Sequence, residues 1–317
     1  MEASVTRQTV VSGRRPPSFH SRQGAQSSSA IMEDWEQPPQ WWPGWPSLLI
    51  LGLLVALYGH IFAKLVYDWY SLPNFSHGFL VPVFAGYLLW TKRAELRATP
   101  VAPSGHGLLL VVAALALLVV GEYGAELFSA RLSFLFLAAG VVLTFYGWAM
   151  LREIRFALFV LLLAIPIPAI LFNHITLPLQ LLASRVASDV LPFCGVPVIR
   201  EGNVIQLPSM QLEVAEACSG IRSLMSLLTL AVFYGNLAET RPLRRVLLAA
   251  ASLPIAVAAN AARIVGTGIC VQYWGPDKAE GFFHEFSGWA MFIISFLCLY
   301  LVHSTMKSIS RARKDRT

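Results

Sequence analysis

Charge is scarce in this sequence: Asp, Glu, Lys and Arg make up 13% of the 317 residues, where a soluble domain carries roughly 25%. An ordinary water-soluble fold is excluded. Cysteine is scarce too. The four present (Cys194, Cys218, Cys270 and Cys298) form no CxxC pair and have no His/Cys spacing suited to zinc, so no metal site, cofactor or disulfide framework is indicated. Strict period-two alternation is missing, which argues against a membrane barrel. A repeat of 20–50 residues is also missing, as are matched broken helices in two halves, so neither a solenoid nor an inverted-repeat transporter is indicated. The net charge of +6 does not imply nucleic acid, because the basic residues lie mostly between apolar runs and at the tail.

What remains is apolar. Hydrophobic residues make up 56% of the chain, and its mean hydropathy is +0.60. Several runs reach the roughly 20 residues a helix needs to cross about 30 Å of hydrocarbon. The fold class expected is therefore an all-α membrane protein with about eight transmembrane helices, at about 47–66, 77–91, 107–121, 127–149, 154–174, 218–237, 246–270 and 287–304. Residues 1–44, rich in Ser, Gln, Arg and Pro, read as a disordered cytoplasmic leader. Residues 45–306 are the polytopic membrane domain, and 307–317 a basic cytoplasmic tail. The first apolar run comes too late and is too long for a signal-peptide core.

Loop charge predicts orientation. Lys92, Arg93 and Arg97 follow the second span, Arg152 and Arg155 the fourth, Arg241, Arg244 and Arg245 the sixth, and a run from Lys307 to Arg316 the last. Every second loop is basic, which places both termini in the cytoplasm. The long loop 175–217 then lies outside. Its first half has apolar residues at helical spacing, as an interfacial helix would. Its second half has β-branched residues around Glu201, Gly202 and Asn203, as a short hairpin would.

Charged or strongly polar residues inside spans cost about 2.5–3.5 kcal/mol each on insertion scales, so each asks for a reason. Span six opens on "EACSGIRSL", with Glu216 and Cys218 at its mouth and Arg222 one turn on; span seven carries Asn260 and Arg263 on one face; "HEFSGW" before span eight begins with His284. Span direction brings Cys218, Arg263 and His284 to one depth at the outer face. A thiol nucleophile, a fixed cation for an oxyanion and an imidazole to move the proton are the parts of covalent acyl transfer. Each has a plainer reading beside it. Arg263 could pair with Glu216 or a helix-end carbonyl, Arg222 could pair with Glu213 or Glu216, and His284 could be a loop residue. His77 could line the same cavity or cap span two. Cys194, Cys270 and Cys298 read as small packing residues.

Together these motifs resemble the exosortase/archaeosortase family of multi-spanning membrane cysteine transpeptidases. The likeness rests on "EACSGIRSL" (216–224), "NAAR" (260–263) and "HEFSGW" (284–289), with "FSHGFLVP" (75–82) as a weaker echo, and covers about residues 47–306. The resemblance implies Cys218 as nucleophile with Arg263 and His284 as partners. Glu216, Arg222, Asn260 and His77 are supporting candidates. It also implies a bacterial inner-membrane enzyme that cleaves secreted proteins bearing a C-terminal tail with a Pro-Glu-Pro-like motif, a transmembrane helix and a basic end. Its partners would be those tails, membrane lipid and an acceptor nucleophile that the residues do not identify. Two other readings stay open: an anion transporter or channel lined by Arg263 and Arg222, and a membrane acyltransferase.

Overall fold

In the computed structural model, the residues described are 45–214, 221–277 and 282–314. The leader expected at 1–44 lies outside them, as do the last residues of the tail. Residues up to Ala56 group apart from Leu57–Thr317, the unit considered below.

The protein is an all-α multi-pass membrane protein. Helix α1 spans Trp45–Ser71, and a 3-10 turn at Pro73–Phe79 leads into α2 (Leu80–Thr91) and the short α3 (Arg93–Ala98). Helices α4 (His106–Tyr123), α5 (Leu127–Phe145), α6 (Gly147–Leu162) and α7 (Ala169–Val190) follow. After a 3-10 turn at Leu191–Cys194 come strands β1 (Ile199–Glu201), β2 (Val204–Gln206) and β3 (Gln211–Glu213). Helices α8 (Ile221–Ala238), α9 (Pro242–Trp274) and α10 (Phe282–Lys314) complete the order.

Six helices among the described residues are long and apolar enough to cross a membrane: α1, α4, α5, α8, α9 and α10. The expected second and fifth spans have a different form. Helix α2 has 12 residues, about 18 Å of rise, well short of the hydrocarbon thickness. The fifth expected span is broken: α6 stops at Leu162, because Pro166 and Pro168 lack the amide proton and bias the residues before them out of the helical region. The chain restarts at Ala169, so the end of that expected span and the expected interfacial helix are one 22-residue helix, α7. The last helix runs on through the expected basic tail as far as Lys314.

The expected hairpin is present and extended by a strand. β1 and β2 pair antiparallel around Gly202, whose φ of +64° suits the turn, and β3 adds to β2 with Ile205 opposite Leu212. Ile205 is fully buried, and with Ala183, Ala187, Leu191, Val196, Val214, Ile264 and Val271 it forms a core cluster joining α7, the sheet and the later turns of α9. Helix α9 is the hub, packing against α7, α8 and α10. Its run of Ala and Gly permits that closeness, since small side chains let helix backbones approach. At Gly268 an added Cβ would lie 2.8 Å from Leu191 Cδ2.

Candidate active site

Asn260 and Arg263 lie one turn apart on α9, about two thirds of the way along it, and so share a face. Asn260 is buried and Arg263 half-buried. The Nε of Arg263 donates to Ser287 Oγ at 3.2 Å, and Ser287 is itself buried on α10. At the next residue, Gly288, an added Cβ would meet Arg263 Cζ and Nη2 at 3.7 Å. The guanidinium therefore lies over the α10 backbone at a position without a side chain. His284 occupies α10 one turn before Ser287; its side chain lies outside the described residues.

Cys218 and Glu216 also lie outside the described residues, but both flanks of their segment are fixed. Val214 is fully buried, its amide donates to Asn203 O at 2.9 Å, and it belongs to the cluster that holds Ile264, the neighbour of Arg263. Ile221, the first residue of α8, is equally buried in a second cluster with Leu65, Trp69, Phe75 and Phe172. Arg222 is exposed, and its Nε reaches Asn74 Oδ1 at 3.5 Å, the long limit of a hydrogen bond. Among the described residues it makes no ion pair with Glu213, which sits exposed on β3.

His77 is buried in the 3-10 turn that also carries Asn74. Its Nε2 donates to the Leu163 carbonyl at 3.2 Å, and Trp69 Nε1 donates to the Ala164 carbonyl at 2.7 Å. Both carbonyls lie in the turn just past the end of α6, where the proline break removes helical donors; inside an apolar bundle such groups need a side-chain partner. A carbonyl partner puts the proton on Nε2. Burial pushes the His77 pKa down, outweighing that bond. His77 thus caps α6 rather than the helix that follows it.

Two polar clusters were not anticipated. Arg131, nearly fully buried on α5, pairs with Asp68 of α1 through Nη2 and Oδ2. At the opposite end of the bundle from Arg222, Glu239 accepts from His303 Nε2 at 2.9 Å and lies 3.5 Å from Arg244 Nη1. Tyr234 OH lies 2.5 Å from His303 Nδ1. Arg131 carried a usable signal, a charge inside an apolar run. Glu239 and His303 are separated by 64 positions and carried none. Cys194, Cys270 and Cys298 are free thiols.

No curated protein and no solved structure matches the chain. Residues 69–301 match the family model described as Transmembrane exosortase (Exosortase_EpsH). That stretch runs from Trp69, through the proline break and the sheet, to Arg263 and Ser287, and covers well over half of the sequence. The chain belongs to the transmembrane exosortase family.

Proposed function

We propose that the chain is a membrane-embedded cysteine protease or transpeptidase that removes the C-terminal sorting tail of secreted proteins. The tail would carry a Pro-Glu-Pro-like motif, a transmembrane helix and a basic end. Family membership supports a membrane protease or transpeptidase in general. The observation that carries the residue assignment is the bond from Arg263 to Ser287, which joins the cation on α9 to the turn of α10 that follows His284.

In the proposed reaction the His284 imidazole takes the Cys218 proton, and the thiolate attacks the carbonyl carbon of the scissile peptide. Arg263 stabilises the oxyanion that forms on the carbonyl oxygen. Collapse breaks the C–N bond, His284 returns its proton to the leaving amine, and the upstream chain remains on Cys218 as a thioester. An acceptor, water or an amine, then gives a proton to the neutral His284 and attacks that carbonyl, and breaking of the C–S bond releases the Cys218 thiolate, which takes the proton back. A nearby guanidinium would also favour the thiolate form of Cys218. Val214 and Ile221, the described residues on either side of the segment that carries Cys218, are both buried.

The reading places both termini in the bacterial cytoplasm and the site on the outer side of the inner membrane. The alternation of basic loops supports it. So does the separation of Lys92, Arg152, Arg155 and Arg245, at one end of the bundle, from Arg222 and His77, at the other.

The test is tail removal in cells that co-express a cognate substrate. Cys218→Ala and Cys218→Ser should both abolish it, and mass spectrometry of wild-type protein with a tail peptide should find a peptidyl adduct on Cys218. Normal processing by a folded Cys218→Ala variant refutes the proposal. A fatty-acyl adduct in place of a peptidyl one redirects it to acyl transfer.

A further inference from the structure

The end of the bundle away from Arg263 holds a concavity that the proposed reaction does not use. It holds about 740 Å³, between the C-terminal turns of α2 and α8, the middle of α6 and the first turns of α9. Ligand pockets of small molecules fall in the range of roughly 300–1,000 Å³. Four cations line it, Lys92, Arg152, Arg155 and Arg245, against one carboxylate, Glu153.

These cations divide into two kinds. Lys92 is held by Glu153 at 2.7 Å. Arg245 is held by the α8–α9 turn, donating from Nε to the Glu239 carbonyl at 2.7 Å and from Nη1 to Asn236 Oδ1 at 2.8 Å. Arg152 and Arg155 lie on α6, three positions apart and therefore neighbours on its surface, and are exposed. Neither guanidinium makes a hydrogen bond or ion pair among the described residues. Two oriented cations thus face two uncommitted ones around one cavity. Helix α9 also begins there at Pro242, so the positive end of its dipole adds to the same field.

Apart from Thr91 and Asn236, the remaining wall is apolar. Leu88, Leu89, Phe156 and Val246 line the cavity beside the cations, and Phe84 stacks on Phe233 at 3.9 Å one turn deeper. Charges that only fix topology need no concavity and no apolar wall. A free inorganic anion would use the cations and gain nothing from the leucines. A phospholipid uses both, with its phosphate on the guanidinium forks and its acyl chains along the apolar wall. We infer that this cavity binds the phosphodiester headgroup of an anionic membrane phospholipid, with Arg152 and Arg155 as its primary ligands.

Native mass spectrometry of the full chain, released from detergent, tests this with phosphatidylglycerol, phosphatidylcholine of the same acyl chains, and inorganic phosphate alone. Wild-type protein should retain phosphatidylglycerol over phosphatidylcholine by at least about fivefold, the contribution of roughly one surface cation. Arg152→Gln/Arg155→Gln should lose that preference. Arg185→Gln/Arg200→Gln, which removes equal charge from exposed positions outside the cavity, should keep it. In wild-type membranes, a phosphatidylglycerol with a photoreactive headgroup should crosslink to peptides containing Lys92 or residues 152–157, a readout that needs no variant. Equal retention of the two lipids, a preference that survives the double substitution, or crosslinks only to other peptides would overturn the inference. Occupancy by inorganic phosphate without a preference for phosphatidylglycerol would also overturn it, in favour of a free anion.

Discussion

Arg263 and Ser287 stand 24 positions apart in sequence, yet one hydrogen bond of 3.2 Å sets the guanidinium of α9 against the first turns of α10. A cation meant for a transient oxyanion gains from being aimed in advance. Losing a hydrogen bond to a charged group costs about 1.5–3 kcal/mol, so Ser287→Ala should slow tail removal by about tenfold or more. The loss should appear in kcat rather than KM. Arg263→Lys should be severely impaired, since a point charge does not replace the planar fork. Ser287→Ala added to Arg263→Lys should cost little more, and a cycle of the four proteins measures that coupling. Fully additive losses would show that Ser287 does not act through Arg263.

The Asp68–Arg131 pair predicts an asymmetric mutational pattern. Removing one partner strands the other charge among apolar neighbours at a cost of about 3–5 kcal/mol, whereas replacing both by apolar residues is often near neutral. Arg131→Met should therefore lower the thermal midpoint in detergent sharply, and Asp68→Leu/Arg131→Met should restore most of it. Equal midpoints for the single and double variants would contradict this account.

Glu239 predicts a dependence on acid. Burial alone would push its pKa up, but the hydrogen bond from His303 and the charges of Arg244, His303 and Lys307 pull it below the usual carboxylate range. A depressed folded-state pKa contributes stability that is complete above the unfolded value, about 4.3, and is lost as pH falls through the folded value. The stability advantage of wild type over Glu239→Gln should shrink as pH falls below about 4.3. Melting curves across that range provide the check; a gap that widens in acid would refute it.

Gly78 gives a steric prediction. A Cβ there would fall 2.3 Å from Trp69 Nε1, the atom that donates to the Ala164 carbonyl. Gly78→Ala should displace the indole and leave that carbonyl without its donor, costing about 1–3 kcal/mol. Trp69→Phe, which removes the donor and keeps an aromatic ring, should show the part of that loss due to the hydrogen bond. Both are read from thermal midpoints.

The long apolar helices were legible because composition and length alone identify a membrane helix, and α4, α8, α9 and α10 fall where the hydrophobic runs lie. The fifth span was misread because the run through Leu163–Pro168 is apolar throughout. Hydropathy does not register that Pro166 and Pro168 stop the helix, although the prolines were visible. Arg263 was legible as a polar intrusion into a span, but its partner was not. Ser287 lies inside the "HEFSGW" stretch, but nothing in that stretch marks it as the partner of Arg263, and only packing of α9 on α10 brings it near. The same holds for Glu239 with His303. His77 was visible as a histidine near a helix start; its target, a carbonyl 86 positions away, exists only once α6 breaks.

The separate burial of Val214 and Ile221 bears on how inactive mutants of this chain should be interpreted. Each of the two residues is locked into a different hydrophobic assembly, so the two anchors that flank the proposed nucleophile can be disturbed independently. A cavity cut at Ile205 or Phe172 need not unfold the molecule to silence it; a slight shift of either footing suffices. Loss-of-function screens should accordingly return greasy, chemically inert positions together with the thiol, and only a folding assay run alongside would tell the two groups apart.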